Sequence, residues 1–205
     1  MSGPFILGLT GSIGMGKSAV AAMLRELGVP VFDADAAVHE LQGPGGACVA
    51  AIERAFPGTT GKAGVDRQKL GAAVFGNPAA LKQLEEIVHP EVAELSRAFL
   101  ADNAAAPLIV FDIPLLYEKT GQHGLDAVAV VSAPAEVQRQ RVLARAGMTA
   151  EKFAQILKLQ VPDAEKRARA DYVIDTGVPM SETRQAVLAL VQSITAGQKV
   201  PRAPL

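Results

Sequence analysis

The sequence predicts an α/β domain built on a parallel sheet, and three observations predict it. Short apolar runs recur at Phe5–Leu9, Val29–Phe32, Leu108–Phe111, Ala127–Val131 and Tyr172–Ile174, each of a length and character that suits a strand buried on both faces. Helical patterns separate these runs, and strand alternating with helix favours right-handed crossovers between parallel strands. A glycine-rich run, Gly11-Ser12-Ile13-Gly14-Met15-Gly16-Lys17-Ser18, stands between the first strand and the first helix.

The first helix spans Ala19–Leu27, with Val20, Met23, Leu24 and Leu27 at helical spacing. Further helices follow at Ala34–Leu41, Cys48–Phe56, Arg67–Phe75, Pro78–Asn103, Pro134–Ala146, Ala150–Leu159 and Ser181–Thr195. The crossover between the second and third strands is far too long for a simple return, so residues 58–103 read as an inserted helical subdomain. The glycine-rich run spells G-x-x-x-x-G-K-S, the phosphate-binding P-loop, in its required setting of strand, turn and helix. Its glycines let the backbone curl until successive N–H groups face phosphate oxygens, and the helix beyond adds the positive end of its dipole. Lys17 is placed to reach the β- and γ-phosphates, and the Ser18 hydroxyl to ligate Mg²⁺.

In open α/β sheets the site lies beyond the carboxyl ends of the strands. Asp33 and Asp35 follow the second strand, and alternate residues of extended chain point the same way, so both carboxylates are expected to face one site. One carboxylate there can hold Mg²⁺ through water and the other accept a proton from an attacking hydroxyl; the bland alternative is that one of them caps the next helix. Asp112 ends the third strand, where a Walker B carboxylate would stand and where a turn-capping aspartate would stand equally well. The Pro114-Leu115-Leu116 run after it suits either an acceptor pocket or the core. His89-Pro90 lies inside a long helical stretch and, from its residues alone, has no catalytic reading.

The basic segment 136–169 carries Arg139, Arg141, Arg145, Lys152, Lys158, Lys166, Arg167 and Arg169. Arg141 and Arg145 are spaced to share a helix face, and Gly147 breaks the chain before a second helix near Thr149. Two helices with inward arginines describe a lid over a transferring phosphoryl group, which must be shielded from competing water. With no Trp and two Tyr, the chain offers an adenine ring an arginine or aliphatic sandwich rather than an aromatic one. A net charge of −1 gives no basic field for nucleic acid. No apolar run approaches the ~20 residues of a membrane span. The single cysteine, Cys48, excludes an internal disulfide and, with no basic leader and cleavage site, suits the cytoplasm. Only 197–205 reads as a flexible tail.

Taken together, the ordered run from Leu9 through the P-loop, Asp33-Ala34-Asp35-Ala36, Leu81 to His89-Pro90, Ile113-Pro114-Leu115-Leu116-Tyr117-Glu118, Gln138 to Arg145, Gln160, and Ala170-Asp171-Tyr172-Val173-Ile174-Asp175 resembles the dephospho-CoA kinase family. The resemblance implies a P-loop NTPase core with a five-stranded parallel sheet (1–57, 104–135 and 170–196), an acceptor-binding helical insert (58–103) and a helical lid (136–169). It implies ATP and dephospho-CoA as substrates, Mg²⁺ as the cofactor, a monomer or small homo-oligomer, and neither nucleic acid nor membrane as partner. Asp35, Lys17 and Arg141 take catalytic roles by this likeness. Gly11, Ser12, Ile13, Gly14, Met15, Gly16, Lys17, Ser18, Ala19 and Arg145 bind ATP, and Ser18 and Asp112 bind the metal. Asp33, Asp35, His89, Pro114, Leu115, Leu116 and Glu118 line the acceptor pocket. Three positions of the loop depart from the family's usual residues: Ser12 for Gly, Met15 for Ser and Ala19 for Thr; Thr176 stands where Asn is usual. Met15 is the larger concern, since a bulky side chain can crowd the cradle. The rivals are another small P-loop kinase with a different acceptor and a nucleotide-dependent switch, although the chain lacks the N-K-x-D run of a guanine-selective switch.

Overall fold

The computed structural model describes residues 3–120 and 124–197, so the expected tail lies, from residue 198 on, outside the described residues. In chain order the elements are β1 (Phe5–Thr10), α1 (Lys17–Glu26), β2 (Val31–Asp33), α2 (Ala34–Gln42), α3 (Val49–Ala55), β3 (Thr60–Gly61), β4 (Gly64–Val65), α4 (Arg67–Val74) and α5 (Pro78–Asp102). Then come β5 (Leu108–Asp112), a π-helical turn (Leu116–Thr120), β6 (Ala127–Ser132), α6 (Ala135–Leu143), α7 (Ala150–Lys158), α8 (Asp163–Arg169), β7 (Tyr172–Asp175) and α9 (Met180–Thr195).

Five strands form the expected sheet in the order β2-β5-β1-β6-β7. The register runs parallel from Leu7 to Val110 on one side of β1, from Leu7 to Ala127 on the other, and from Val130 to Val173 at the far edge. The second strand starts later than its apolar run because Pro30 has no N–H to give; its carbonyl instead accepts from Val110 N at 2.9 Å and sets β2 beside β5. Every residue of β6 is buried, which is why its sequence shows no alternation. Alternate side chains nonetheless divide between two cores. Ala129 and Val131 join Leu7, Leu9 and Val110 beneath α1 (Val20, Met23, Leu24) and α9 (Val187, Leu190, Ile194). Val128 and Val130 face the other way, onto Leu116, Tyr117 and Ala170. Each buried aliphatic side chain contributes about 1.5–3 kcal/mol against its exposure to water.

The chain divides into two compact units, Met1–Phe32 with Asn103–Leu205, and Asp33–Asp102. The second is wider than the 58–103 insert read from the sequence. It includes α2 and α3 because Leu41, Cys48, Ile52 and Phe56 share one apolar cluster with Leu70 of α4 and Val88 of α5. One feature of this unit was not foreseen in its sequence: a short hairpin joins β3 to β4. The long helix expected from Pro78 forms as α5 and runs through Pro90 over 25 residues. Glu53 organises the turn before the hairpin by accepting from Gly58 N at 2.8 Å and from Thr60 Oγ1 at 2.7 Å. The Gly58 bond above all, then that of Thr60, holds the Glu53 carboxyl below its ordinary value, so its contribution is present above the ordinary carboxylate range and fades as pH falls. Cys48 is buried, and desolvation first, with Glu91 second, pushes its thiol up, away from reactivity.

Candidate active site

The P-loop leaves β1 and closes on the N-terminus of α1. Gly16, the N-cap of α1, has φ +85° and Gly14 has φ +77°, a left-handed backbone that side chains rarely adopt. The space is closed as well: a Cβ at Gly14 would stand 2.4 Å from Val142 Cγ2, and one at Gly16 would stand 2.9 Å from Thr176 Oγ1. Met15 N donates to Ser12 O at 3.1 Å and Ala19 N to Gly16 O at 3.0 Å, which curls the run from Gly11 to Ala19 into a single loop and first turn. Met15 does not crowd it. Its side chain is buried, and its sulfur accepts from Ala133 N at 3.2 Å, beyond the end of β6.

Three side chains from the second half of the unit hold the loop's backbone from outside. Gln138 Nε2 on α6 donates to Ile13 O at 2.8 Å, Gln160 Oε1 accepts from Ile13 N at 3.1 Å, and Thr176 Oγ1 donates to Met15 O at 2.7 Å. None of these has a catalytic signature, and the contacts span up to 161 positions of sequence.

Lys17 and Asp112 form an ion pair, Nζ to Oδ1, with Asp112 only 4% exposed at the end of β5. The carboxylate lies against the P-loop lysine, a placement compatible with that of a Walker B acid. Ser18 is exposed in the first turn of α1. A hydroxyl oxygen and a carboxylate oxygen are hard donors of the kind Mg²⁺ takes, so this set fits that ion.

The arginines do not share a helix face as their spacing suggested. α6 ends at Leu143, where the chain tightens (Arg145 N to Val142 O, 3.1 Å) ahead of Gly147 at φ +73°. Arg145 is therefore exposed beyond the helix, while Arg141 on α6 donates to Thr176 O at 2.6 Å and to Thr176 Oγ1 at 3.1 Å. α7 begins behind Thr149, whose hydroxyl caps Lys152 N at 3.2 Å.

A third helix in the basic segment, α8, went unseen in the sequence. It is fastened at three points, one on β6 and two on the π-helical turn Leu116–Thr120. Lys166, wholly buried, stands 2.7 Å from Glu118 Oε1, which also accepts from Val161 N at 2.9 Å. Ser132 Oγ donates to Asp163 Oδ2 at 2.7 Å, and the Arg169 guanidinium lies 4.2 Å from the Tyr117 ring centroid. Glu118 is thus committed as an anchor, and Leu116, 1% exposed, is core. Of the expected acceptor segment, Pro114 and Leu115 remain half-buried, with Thr10 Oγ1 donating to Pro114 O at 3.2 Å. Lys166→Ala is expected to lower unfolding free energy by about 3–5 kcal/mol, because it strands a buried carboxylate. The double change Lys166→Met with Glu118→Leu should recover most of that loss in urea denaturation.

In the second unit, the shared extended face expected for Asp33 and Asp35 does not form, since α2 begins at Ala34, directly after β2. Asp33 is its N-cap, accepting from Ala36 N at 2.9 Å, and Asp35 sits exposed in the first turn. The Asp35 carboxylate makes no hydrogen bond or ion pair among the described residues. Its carbonyl accepts from His39 Nδ1 at 2.8 Å, and Arg67 Nη1 closes on His39 Nε2, a basic pair beside Asp35 that sequence reasoning missed. His89 is exposed on α5.

The family model described as dephospho-CoA kinase matches residues 5–181. A dephospho-CoA kinase of Novosphingobium aromaticivorans is 68% identical over 202 residues, covering 98% of this chain and 100% of that protein. This chain belongs to the dephospho-CoA kinase family. Among solved structures, TT1252 from Thermus thermophilus superposes with a TM-score of 0.83 at 37% identity, covering 94% of this chain and 98% of that one. A dephospho-CoA kinase from Campylobacter jejuni superposes with a TM-score of 0.65 at 26% identity, with 94% and 98% covered. The protein is accordingly a kinase of coenzyme A biosynthesis on a P-loop fold, as the resemblance implied. No helix among the described residues is long and apolar enough to cross a membrane.

Proposed function

We propose that this kinase moves the γ-phosphate of ATP onto the ribose 3′-hydroxyl of dephospho-CoA with the residues of its P-loop, Asp112, Asp35 and the basic segment in distinct roles. The observation that carries the assignment is Lys17 paired with the buried Asp112 at the mouth of a loop whose glycines hold left-handed backbone. Gly11 to Ala19 cradle the triphosphate. Lys17 exchanges part of its contact with Asp112 for the β- and γ-oxygens, where charge accumulates as the bond from γ-phosphorus to the bridging oxygen breaks. The 3′-oxygen forms the new bond to phosphorus, its proton passes to Asp35, and ADP leaves. Asp35 suits that work because Asp33 takes the cap and leaves the Asp35 carboxylate uncommitted. When bound, Mg²⁺ neutralises phosphate charge, and Ser18 with Asp112 would hold it.

Arg141 and Arg145 serve the phosphoryl oxygens. α6 is packed on the loop through Gln138 and Val142, and α8 is fastened to β6 and the π-helical turn, so α7 and its flanking turns are the portion left to close. Pro114, Leu115, Asp33 and His89 complete the acceptor contacts in this reading, with Leu116 and Glu118 holding the segment from behind. We place the enzyme in the cytoplasm, where its one thiol stays reduced.

Coupled ADP release with Mg·ATP and a panel of dephospho-CoA, AMP, CMP, shikimate and gluconate tests the reading. Turnover with dephospho-CoA alone, yielding coenzyme A, is the expected result. Turnover only with another acceptor would overturn the acceptor assignment, and slow hydrolysis indifferent to all of them would overturn the transfer itself.

A further inference from the structure

We propose that Thr176 and Gln138 are positioning residues of the nucleotide loop, each aiming a glycine amide at the phosphates by anchoring the carbonyl of the same peptide. A trans peptide is planar and carries its C=O and N–H on opposite edges, and no described peptide here is cis. Gln138 holds Ile13 O, so the Gly14 N–H of that peptide points to the opposite side; Thr176 holds Met15 O, so the Gly16 N–H does the same. Neither glycine amide donates to any group among the described residues. Both are thus unspent donors fixed in direction, which is what an anion cradle requires. Between them the Met15 amide is already taken by Ser12 O, and ahead of them the Ile13 amide by Gln160, so the free donors alternate along the loop.

The two anchors are built for this task. Thr176 and Gln138 are each 6% exposed, and a buried hydroxyl or amide is costly unless bonded. Arg141 also sets the direction of the Thr176 hydroxyl. A guanidinium can only donate, so the contact from Arg141 Nη1 makes Oγ1 an acceptor on that side. The one hydroxyl proton then goes to Met15 O at 2.7 Å in preference to Ser132 O at 3.3 Å. Arg141 is thereby coupled to the loop through Thr176.

The inference rests on the kinase reading of the loop, so wild-type turnover of dephospho-CoA and binding of ADP are measured first; their absence would defeat that reading and leave nothing to position. With both present, Thr176→Val is expected to raise the KM for ATP and the Kd for ADP about ten-fold, with the KM for dephospho-CoA unchanged. Thr176→Ser, which keeps the hydroxyl, should recover most of the loss, and Gln138→Met should resemble the valine variant. Wild-type affinity in the valine variant would overturn the proposal, as would a serine variant no better than valine, which would assign the effect to the methyl group. Independently of any variant, the amide ¹H–¹⁵N resonances of Gly14 and Gly16 in the wild-type enzyme should move downfield in proton shift on ADP addition; unmoved resonances would overturn it even if a variant fails to fold.

Discussion

Lys17→Met is expected to lower kcat by about 10³-fold, the scale on which a preorganised charge at a reacting centre is removed. Methionine matches the length and flexibility of lysine, so the loop keeps its shape while the charge disappears. The effect should fall on kcat more than on the KM for ATP, because the glycine amides still hold the phosphates while charge in the transition state goes unmatched. Lys17→Arg should not rescue it: a planar guanidinium is larger than an ammonium and cannot occupy the point position that Lys17 shares with Asp112. Steady-state kinetics with dephospho-CoA, paired with calorimetric titration of ATP, separates the two parameters. A kcat within ten-fold of wild type would remove Lys17 from the chemistry. The same substitution also leaves Asp112, 4% exposed, without its lysine, so a lower melting temperature should accompany the kinetic loss.

Much of this site was legible in the sequence, for a physical reason. A phosphate cradle is made of backbone, and the backbone it needs can be written only with glycines at fixed spacing, so Gly14 and Gly16 announce their own left-handed geometry. The strands were legible for a similar reason, since a parallel sheet covered on both faces must be continuously apolar, as β6 is. Asp112 was ambiguous because any acid can end a strand, and its pairing with Lys17, 95 residues away, was not visible in the sequence. The anchors of the loop were invisible. A glutamine on a helix or a threonine after a strand has no chemical signature until the fold sets Gln138 beside Ile13 O and Thr176 beside Met15 O. α8 was hidden by its charges. Lys166 reads as a solvated residue in a basic segment, yet it is wholly buried against Glu118, whose carboxylate offsets part of the cost of placing such a side chain inside. The D-x-D pattern misled because it assumed extended chain; α2 starts one residue after Asp33, so the two carboxylates take different roles on a cap and a first turn.

That division of roles yields the sharpest test of the acceptor chemistry. Asp35→Asn keeps the side chain's size and removes only its ability to take a proton, so ATP affinity should be unchanged while kcat falls by about 10²–10⁴-fold, the contribution of a positioned general base. Asp33→Asn is the matched control. Asparagine caps a helix about as well as aspartate, so α2 should keep its start and the loss of activity should be small by comparison. If the cap were the catalytic group the two outcomes would exchange, with Asp33→Asn collapsing turnover and Asp35→Asn sparing it. If neither mattered, the acceptor hydroxyl would be losing its proton without a protein base, as a loose, metaphosphate-like transition state permits when bond formation lags behind bond breaking. The pair of variants, read by kcat together with ATP titration, therefore distinguishes a base at Asp35, a base at Asp33 and no base at all. The exposed, uncommitted carboxylate of Asp35 beside His39 and Arg67 favours the first.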